Sequence, residues 1–412
     1  MLRNSTTLTT SFSFDLISPA LMSAALIRAV HSNFQQRFGY EPLLVRAPGR
    51  VNLIGEHTDY NGGFVLPAAV DKEAIFAVGL NGETKIRLVA YDLDETFELA
   101  SAAEISPSAA HWANYLLGVA AQFQQRGIAV PGFDCVFGGT IPMGAGMSSS
   151  AAIECGLAFA LNHLLHVGLE TLELARIAQK AEQTYAGVQC GIMDQFASLF
   201  GHAGQVVRLD CRSLEYAYFP FDTQACRIVL CNSGVKHSLA SSAYNTRRQE
   251  CERGVAVLQQ YNPAVLSLRD ATLAELDAYR AELGDTVYRR CAYVVQENAR
   301  VEAACRHLGA GDLAAFGQEM FASHAGLRDD YEVSCVELDA LVEAARAVPG
   351  VFGSRMMGGG FGGCTINLVA PDKVDDFIAS VSAAYQKQFG LVLETYQTTI
   401  VAGVGAVAAL VV

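Results

Sequence analysis

Hydrophobic and polar positions alternate between two periods along this chain. Residues 26–38 carry apolar side chains at helical spacing and read as an amphipathic helix. Residues 43–47 form a short apolar run that Pro48 and Gly49 are expected to stop. Residues 74–79, 86–91 and 132–138 lie between Gly/Asn turns and read as strands, with a helix over 113–126. Residues 148–165 are so uniformly apolar that a helix buried all round is predicted. In the next helix, 172–186, Leu174, Ile177, Ala178, Ala181 and Tyr185 fall on one stripe. Strands are expected over 206–219, 226–231, 363–370 and 391–397, and helices over 240–261, 286–308 and 335–347.

Strands and helices mix without a regular βαβ period, which favours an α+β fold over a doubly wound sheet. The chain has 412 residues, enough for two domains with cores of their own. The expected division is a tail over 1–21, an N-terminal domain over 22–219 and a C-terminal domain over 220–412, parted at Pro220. There is no internal repeat and no low-complexity linker.

Composition narrows the function. The apolar fraction is 51% and the charged fraction 17%, which excludes intrinsic disorder. A net charge of −13 argues against nucleic acid or anionic membrane as the main partner, since both are read by basic surface. Mean hydropathy is +0.24, yet no run approaches the roughly 20 apolar residues of a spanning helix. The apolar end, 400–412, is glycine-broken and is expected to be a buried terminal strand. Residues 1–21 are rich in Ser and Thr and form no export signal, so a loose tail or an alternative start is expected. The 11 cysteines show no ligand spacing and read as reduced thiols of a cytoplasmic protein.

Three glycine-rich segments hold the candidate chemistry. Residues 46–67, RAPGRVNLIGEHTDYNGGFVLP, gather Glu56, His57 and Asp59 within four positions. Such donors and acceptors suit a sugar's hydroxyls. The segment also fits a polar turn, and it suits metal ligation less well. Residues 142–151, PMGAGMSSSA, lead into the apolar helix. Free N–H groups at a helix start favour anions, and Ser148, Ser149 and Ser150 add hydroxyls for phosphate or for Mg²⁺ carried with it. The plainer account is a serine N-cap. Residues 355–365, RMMGGGFGGCT, have five glycines in six positions. Each glycine costs conformational entropy, so the loop must approach a ligand or another loop. Two carboxylates complete the set: Glu182 at the margin of the apolar stripe, and Asp194 in an uncharged run, as an N-cap or a buried functional acid.

In register, these segments resemble the galactokinases of the GHMP sugar and isoprenoid kinase family. WANY (112–115), CGIMDQF (190–196), AYNTRRQECE (243–252), ENAR (297–300) and SHAGLRDD (323–330) also look family-like, in the expected order. The resemblance covers about residues 25–400. It implies two α+β domains, a ribosomal-S5-like N-terminal one and a ferredoxin-like C-terminal one, with the active site between them. It implies phosphoryl transfer from MgATP to the C1 hydroxyl of α-D-galactose, with ATP and Mg²⁺ required and no obligate protein partner.

Carried over residue by residue, Arg50 and Asp194 match the catalytic pair. Glu56, His57, Asp59, Gly191 and Tyr244 match the sugar contacts. Gly144, Ala145, Gly146, Met147, Ser148, Ser149 and Ser150 match the phosphate loop. Ser149, open by one position, and Glu182 match the Mg²⁺ ligands. Trp112 matches a side chain near the adenine, or is an ordinary core residue. An ordinary carboxylate is a weak base for an alcohol, so Asp194 is expected to orient the hydroxyl and take its proton late. Inactive sugar- and ATP-binding sensors are expected to lose part of the phosphate loop, and SSSAA (148–152) is intact here. Kinases for N-acetylgalactosamine or arabinose differ in the pocket about C2. The Ser/Thr-rich tail and the apolar C-terminus depart from the family pattern.

Overall fold

The computed structural model describes residues 19–142, 144–235 and 240–407. Most of the 1–21 tail and the last five residues lie outside them. The strands are β1 (Leu43–Asn52), β2 (Phe64–Val65), β3 (Pro67–Leu80), β4 (Ile86–Ala90), β5 (Glu95–Leu99), β6 (Phe133–Gly139), β7 (Gln205–Asp210), β8 (Tyr216–Pro220), β9 (Arg227–Asn232), β10 (Val351–Met356), β11 (Cys364–Val369), β12 (Glu394–Thr398) and β13 (Gly405–Ala406). The helices are α1 (Pro19–Phe38), α2 (His111–Gln125), α3 (Ser149–Leu164), α4 (Thr171–Ala181), α5 (Met193–Phe200), α6 (Ala240–Gln259), α7 (Leu273–Ala278), α8 (Arg280–Gly309), α9 (Leu313–Asp329), α10 (Val336–Arg346) and α11 (Val374–Phe389).

Three sheets result, in the orders β13-β1-β3-β6-β4-β5, β10-β11-β9-β12 and β2-β7-β8. This is the two-part α+β architecture expected. Phe76, Leu88 and Phe133 of the first sheet bury against Leu116, Phe123, Leu157 and Phe196 of its covering helices, while α1 covers the other face through Val30 and Phe34. In the second sheet, Val229 and Cys231 face Leu341 of α10 and Phe377 and Val381 of α11. Its other face joins a core shared by both halves. There Ile228, Leu230 and Ile366 meet Val51, Leu53 and Leu66, together with Val301 of α8 and Phe316 of α9. Burial of roughly 1.5–3 kcal/mol per large side chain thus ties the halves to one another.

Several expectations are corrected. β1 does not stop at Pro48. It runs on to Asn52 through a register break between Pro48 and Arg50. A bulge tolerates the missing proline donor, and it frees the Arg50 N–H to bond Met147 O at 3.0 Å. The helix expected over 172–186 ends at Ala181 and widens into a π-helical turn over Glu182–Ala186. The strand expected over 206–219 is a hairpin, β7 and β8. The terminal strand expected over 400–412 is not buried as a whole. Among its described residues, Ile400 is buried and bridges Val70, residues 401–407 are half-buried or exposed, and Gly405–Ala406 pair with β1. That segment is glycine-broken, so it can follow a sheet edge but cannot fill a core. No described helix is long and apolar enough to cross a membrane.

Candidate active site

The site forms where the β1 bulge, the 56–59 segment, the start of α3, the π turn, the start of α5, the first turns of α6 and the glycine loop of the second half converge. A cavity of about 270 Å³ lies there, lined by Arg50, Glu56, His57, Asp59, Glu182, Gly191, Asp194, Tyr244 and glycines 358–360.

At its floor Arg50 grips Asp194 with two parallel bonds, Nε to Oδ1 at 2.7 Å and Nη2 to Oδ2 at 2.8 Å. Burial works against the guanidinium charge, but Asp194 outweighs it and raises the Arg50 pKa. The third Arg50 nitrogen donates to Gly146 O of the 142–151 loop. Asp194 stands in the first turn of α5 while Ile192 holds the N-cap position, so it is no cap. Ser148 holds the N-cap position of α3, but its side chain does not cap the helix. It sits in the left-handed region at φ +53° without a side-chain cap bond, and its hydroxyl donates to Asp194 Oδ2. The loop expected to bind phosphate is therefore bonded directly to the Arg50–Asp194 pair.

The sugar segment is held from behind. Glu56 is buried, and its Oε1 accepts from Arg355 Nη1 at 3.2 Å, Arg355 Nη2 at 3.1 Å and Gly358 N at 2.8 Å. Arg355 is itself fully buried. In sequence it was only the first letter of a glycine loop. His57 has both ring nitrogens engaged. Gly359 O at 3.2 Å can only accept, so Nε2 carries the proton and Nδ1 accepts from Tyr60 Oη at 2.7 Å. Tyr60 in turn meets Tyr331 at 2.8 Å, and Tyr331 meets Cys251 Sγ at 3.3 Å. Burial lowers the His57 pKa to about 3, so the ring stays neutral. Burial first, then the Asp194 charge, raises the Asp59 carboxyl to about 7. Gly191 lies so close that an added Cβ would fall 2.0 Å from Asp59 Oδ2, so only glycine fits there. Tyr244 leans on His57 with ring centroids 5.3 Å apart.

The third glycine loop packs against another segment and also borders the cavity. Gly358, Gly359 and Gly360 line the cavity, while a Cβ on Gly360 would strike Val333 O at 2.2 Å. Glu182 projects from the π turn and accepts from Gln195 Nε2 at 2.7 Å. Burial raises its pKa, and the Ser150 hydroxyl pulls it the other way. Ser149 is exposed instead. Trp112 is half-buried on α2, and its indole N–H donates to Glu95 at 2.6 Å. Among the described residues, no group of three or more His, Cys, Asp or Glu could cage a metal.

Three family models match the chain: the galactokinase galactose-binding signature over residues 32–80, the GHMP kinases N-terminal domain over 114–202 and the GHMP kinases C-terminal domain over 301–387. A galactokinase of Roseiflexus sp. is 42% identical over 379 residues, covering 92% of this chain and 96% of its own. The chain belongs to the galactokinase family. The human galactokinase is 44% identical over 355 residues, covering 84% of this chain and 88% of its own. The crystal structure of Lactococcus lactis galactokinase complexed with galactose superposes with a TM-score of 0.88 at 35% identity, covering 92% of this chain and 99% of that one. A mevalonate kinase structure at 18% identity and TM-score 0.58 shares the fold.

Proposed function

We propose that this galactokinase-family member transfers the γ-phosphoryl group of MgATP to the C1 hydroxyl of α-D-galactose, giving galactose 1-phosphate and ADP. The carrying observation is the join between two sites: Arg50 holds Asp194 by two bonds and also reaches Gly146 of the phosphate loop. Glu56, His57, Asp59, Gly191 and Tyr244 would face the sugar in the adjoining cavity. With both His57 nitrogens engaged inside the protein, His57 shapes the wall and carries no charge to the sugar.

Phosphoryl transfer needs positioning and charge stabilisation more than covalent work. Asp194 Oδ1 accepts one bond from Arg50, so a lone pair remains to receive the C1 O–H. Asp194 orients that hydroxyl and takes its proton as the new P–O bond forms. Arg50 fixes the orientation of Asp194 and offsets charge on the transferring group. The N–H groups of 144–150 and the α3 N-terminus would cradle the phosphates. Glu182 and a serine of the 148–150 run fit Mg²⁺, because two protein oxygens suit an ion that arrives with phosphates and keeps its waters. Bound there, Mg²⁺ neutralises phosphate charge. Ser150 is less exposed than Ser149 and stabilises the Glu182 carboxylate, which favours its hydroxyl over that of Ser149. Trp112 would stand on the adenine side.

Eleven free cysteines support a cytoplasmic setting, and a division into 22–219 and 220–412 remains our reading of the domains. The test is ADP release with galactose, N-acetylgalactosamine, glucose and arabinose side by side. Turnover should be greatest with galactose, and no turnover on any sugar overturns the proposal.

A further inference from the structure

One turn into α3, on the face that carries Ser150, stands Glu154, with no exposed surface. Its Oε2 accepts from Gln195 Nε2 at 3.2 Å. Its Oε1 has no partner. Gln195 is fully buried too, and its Oε1 is also without a partner. The same Gln195 Nε2 donates to Glu182 Oε2 at 2.7 Å. The titratable groups around Glu154 are Glu182, Asp194, Tyr115, Cys155 and Cys190, none of them cationic. Two orphaned oxygens on one acid–amide pair make a specific pattern. Two bare acceptors cannot bond each other, but one proton on Glu154 resolves both.

We propose that Glu154 is a neutral carboxylic acid that locks Gln195 in a two-bond ring and so positions Glu182 toward the phosphate loop. In that ring Glu154 Oε1–H donates to Gln195 Oε1, and one Gln195 N–H donates to Glu154 Oε2. The second Gln195 N–H is then fixed on Glu182. Every polar atom of the pair is satisfied and no charge is buried, whereas an ionised Glu154 would add a third carboxylate beside Glu182 and Asp194 in a dry site. Burial together with the Glu182 charge pushes the Glu154 pKa upward, in the same sense. Glu154 is thus a positioning residue. What Glu182 does for MgATP rests on the function proposed above, whereas the protonation of Glu154 does not.

Two variants and one spectrum test this. Glu154→Gln keeps the ring as an amide–amide pair, and its kcat and its KM for MgATP should stay close to those of the parent protein. Glu154→Leu leaves Gln195 free to turn, and the Mg²⁺ concentration for half-maximal rate should rise by about 10–100-fold, the usual effect of losing a partner behind a metal ligand. Galactose binding by calorimetry should not change. In infrared difference spectra, parent minus Glu154→Gln, the carbonyl stretch of a buried protonated carboxyl should appear and shift in D₂O. A Glu154→Gln variant as impaired as Glu154→Leu, or absence of the protonated-carboxyl band, overturns the proposal. If Glu154→Leu fails to fold, the band and Glu154→Gln still decide. If the parent phosphorylates no sugar, the functional proposal fails while the band still reports on Glu154.

Discussion

Asp194 marks how far single residues could be read. As a letter it was a cap or a functional acid, because sequence does not show which way a carboxylate turns. The structure turns it onto Arg50 and Ser148. Replacing it by Asn leaves the shape but removes the proton acceptor proposed for the transfer. Asp194→Asn should lower kcat by about 10²–10⁴-fold with galactose still bound, as measured by steady-state kinetics and calorimetry. Near-normal turnover would refute the assignment. Two other residues set a pH signature. Asp59 ionises near 7 in the folded protein against 3.8 ordinarily, so between those values the folded state holds a proton that the unfolded chain releases. Stability therefore falls as pH rises through that window. His57 works in the other sense: its pKa is about 3 folded against 6.5, so stability falls as pH drops. In the shared window the slopes oppose. Relative to the parent, Asp59→Asn should gain stability as pH rises from about 4 to 7 and His57→Gln should lose it. Thermal unfolding across pH checks this, and three parallel curves would disprove it.

At the scale of elements, periodicity found most helices and strands near their places, because most bury one face. It missed α5, α7, α9, α11, β2, β5 and β10. In α11, Val374, Phe377, Val381 and Tyr385 do fall at helical spacing, so that signal was present. In α9 the stripe is broken by Gly317, where a Cβ would meet Phe352 O at 1.8 Å, a long-range contact that local sequence does not display. β5 is a half-exposed edge strand with polar residues, and burial writes no pattern on such a strand. The Pro48 bulge and the π turn at Glu182 also escaped, because tertiary bonds impose both. Within α8, Gly284 breaks the helix at φ +72° and ψ +158°, a region nearly reserved for glycine. Gly284→Ala has open space around it, so its effect is backbone strain alone. It should cost about 1–3 kcal/mol with kcat unchanged, seen as a lower urea midpoint. An unchanged midpoint would mean that the kink relaxes freely.

For the whole molecule, the two-part α+β plan was legible, and the reason the parts act as one was not. The shared core and the Glu56–Arg355 pair join residues about 300 apart in sequence. Arg355 reaches Glu56, Asn52 O, Leu53 O and Met356 O from a position with no solvent contact. Removing one member of a buried pair strands the other. Arg355→Met should destabilise the protein by about 3–5 kcal/mol and weaken galactose binding together with it. Adding Glu56→Gln should recover much of the stability without recovering the binding. Denaturant titration of the three proteins measures both effects, and purely additive losses would exclude the coupling.

The segment over 399–407 leaves the second half and returns to the first. Its backbone bonds Asp71, Ala69, Gly201, Ser198 and Leu44, and β13 covers the outer edge of β1. This sets an order of events during synthesis. The strand that carries Arg50 emerges early from the ribosome, but its bonding partner follows the entire second half. Until then the nascent first sheet has an open edge, ready to pair with any strand it meets. The half of the molecule that holds the Arg50–Asp194 ion pair is therefore completed by residues that follow the second half in the chain.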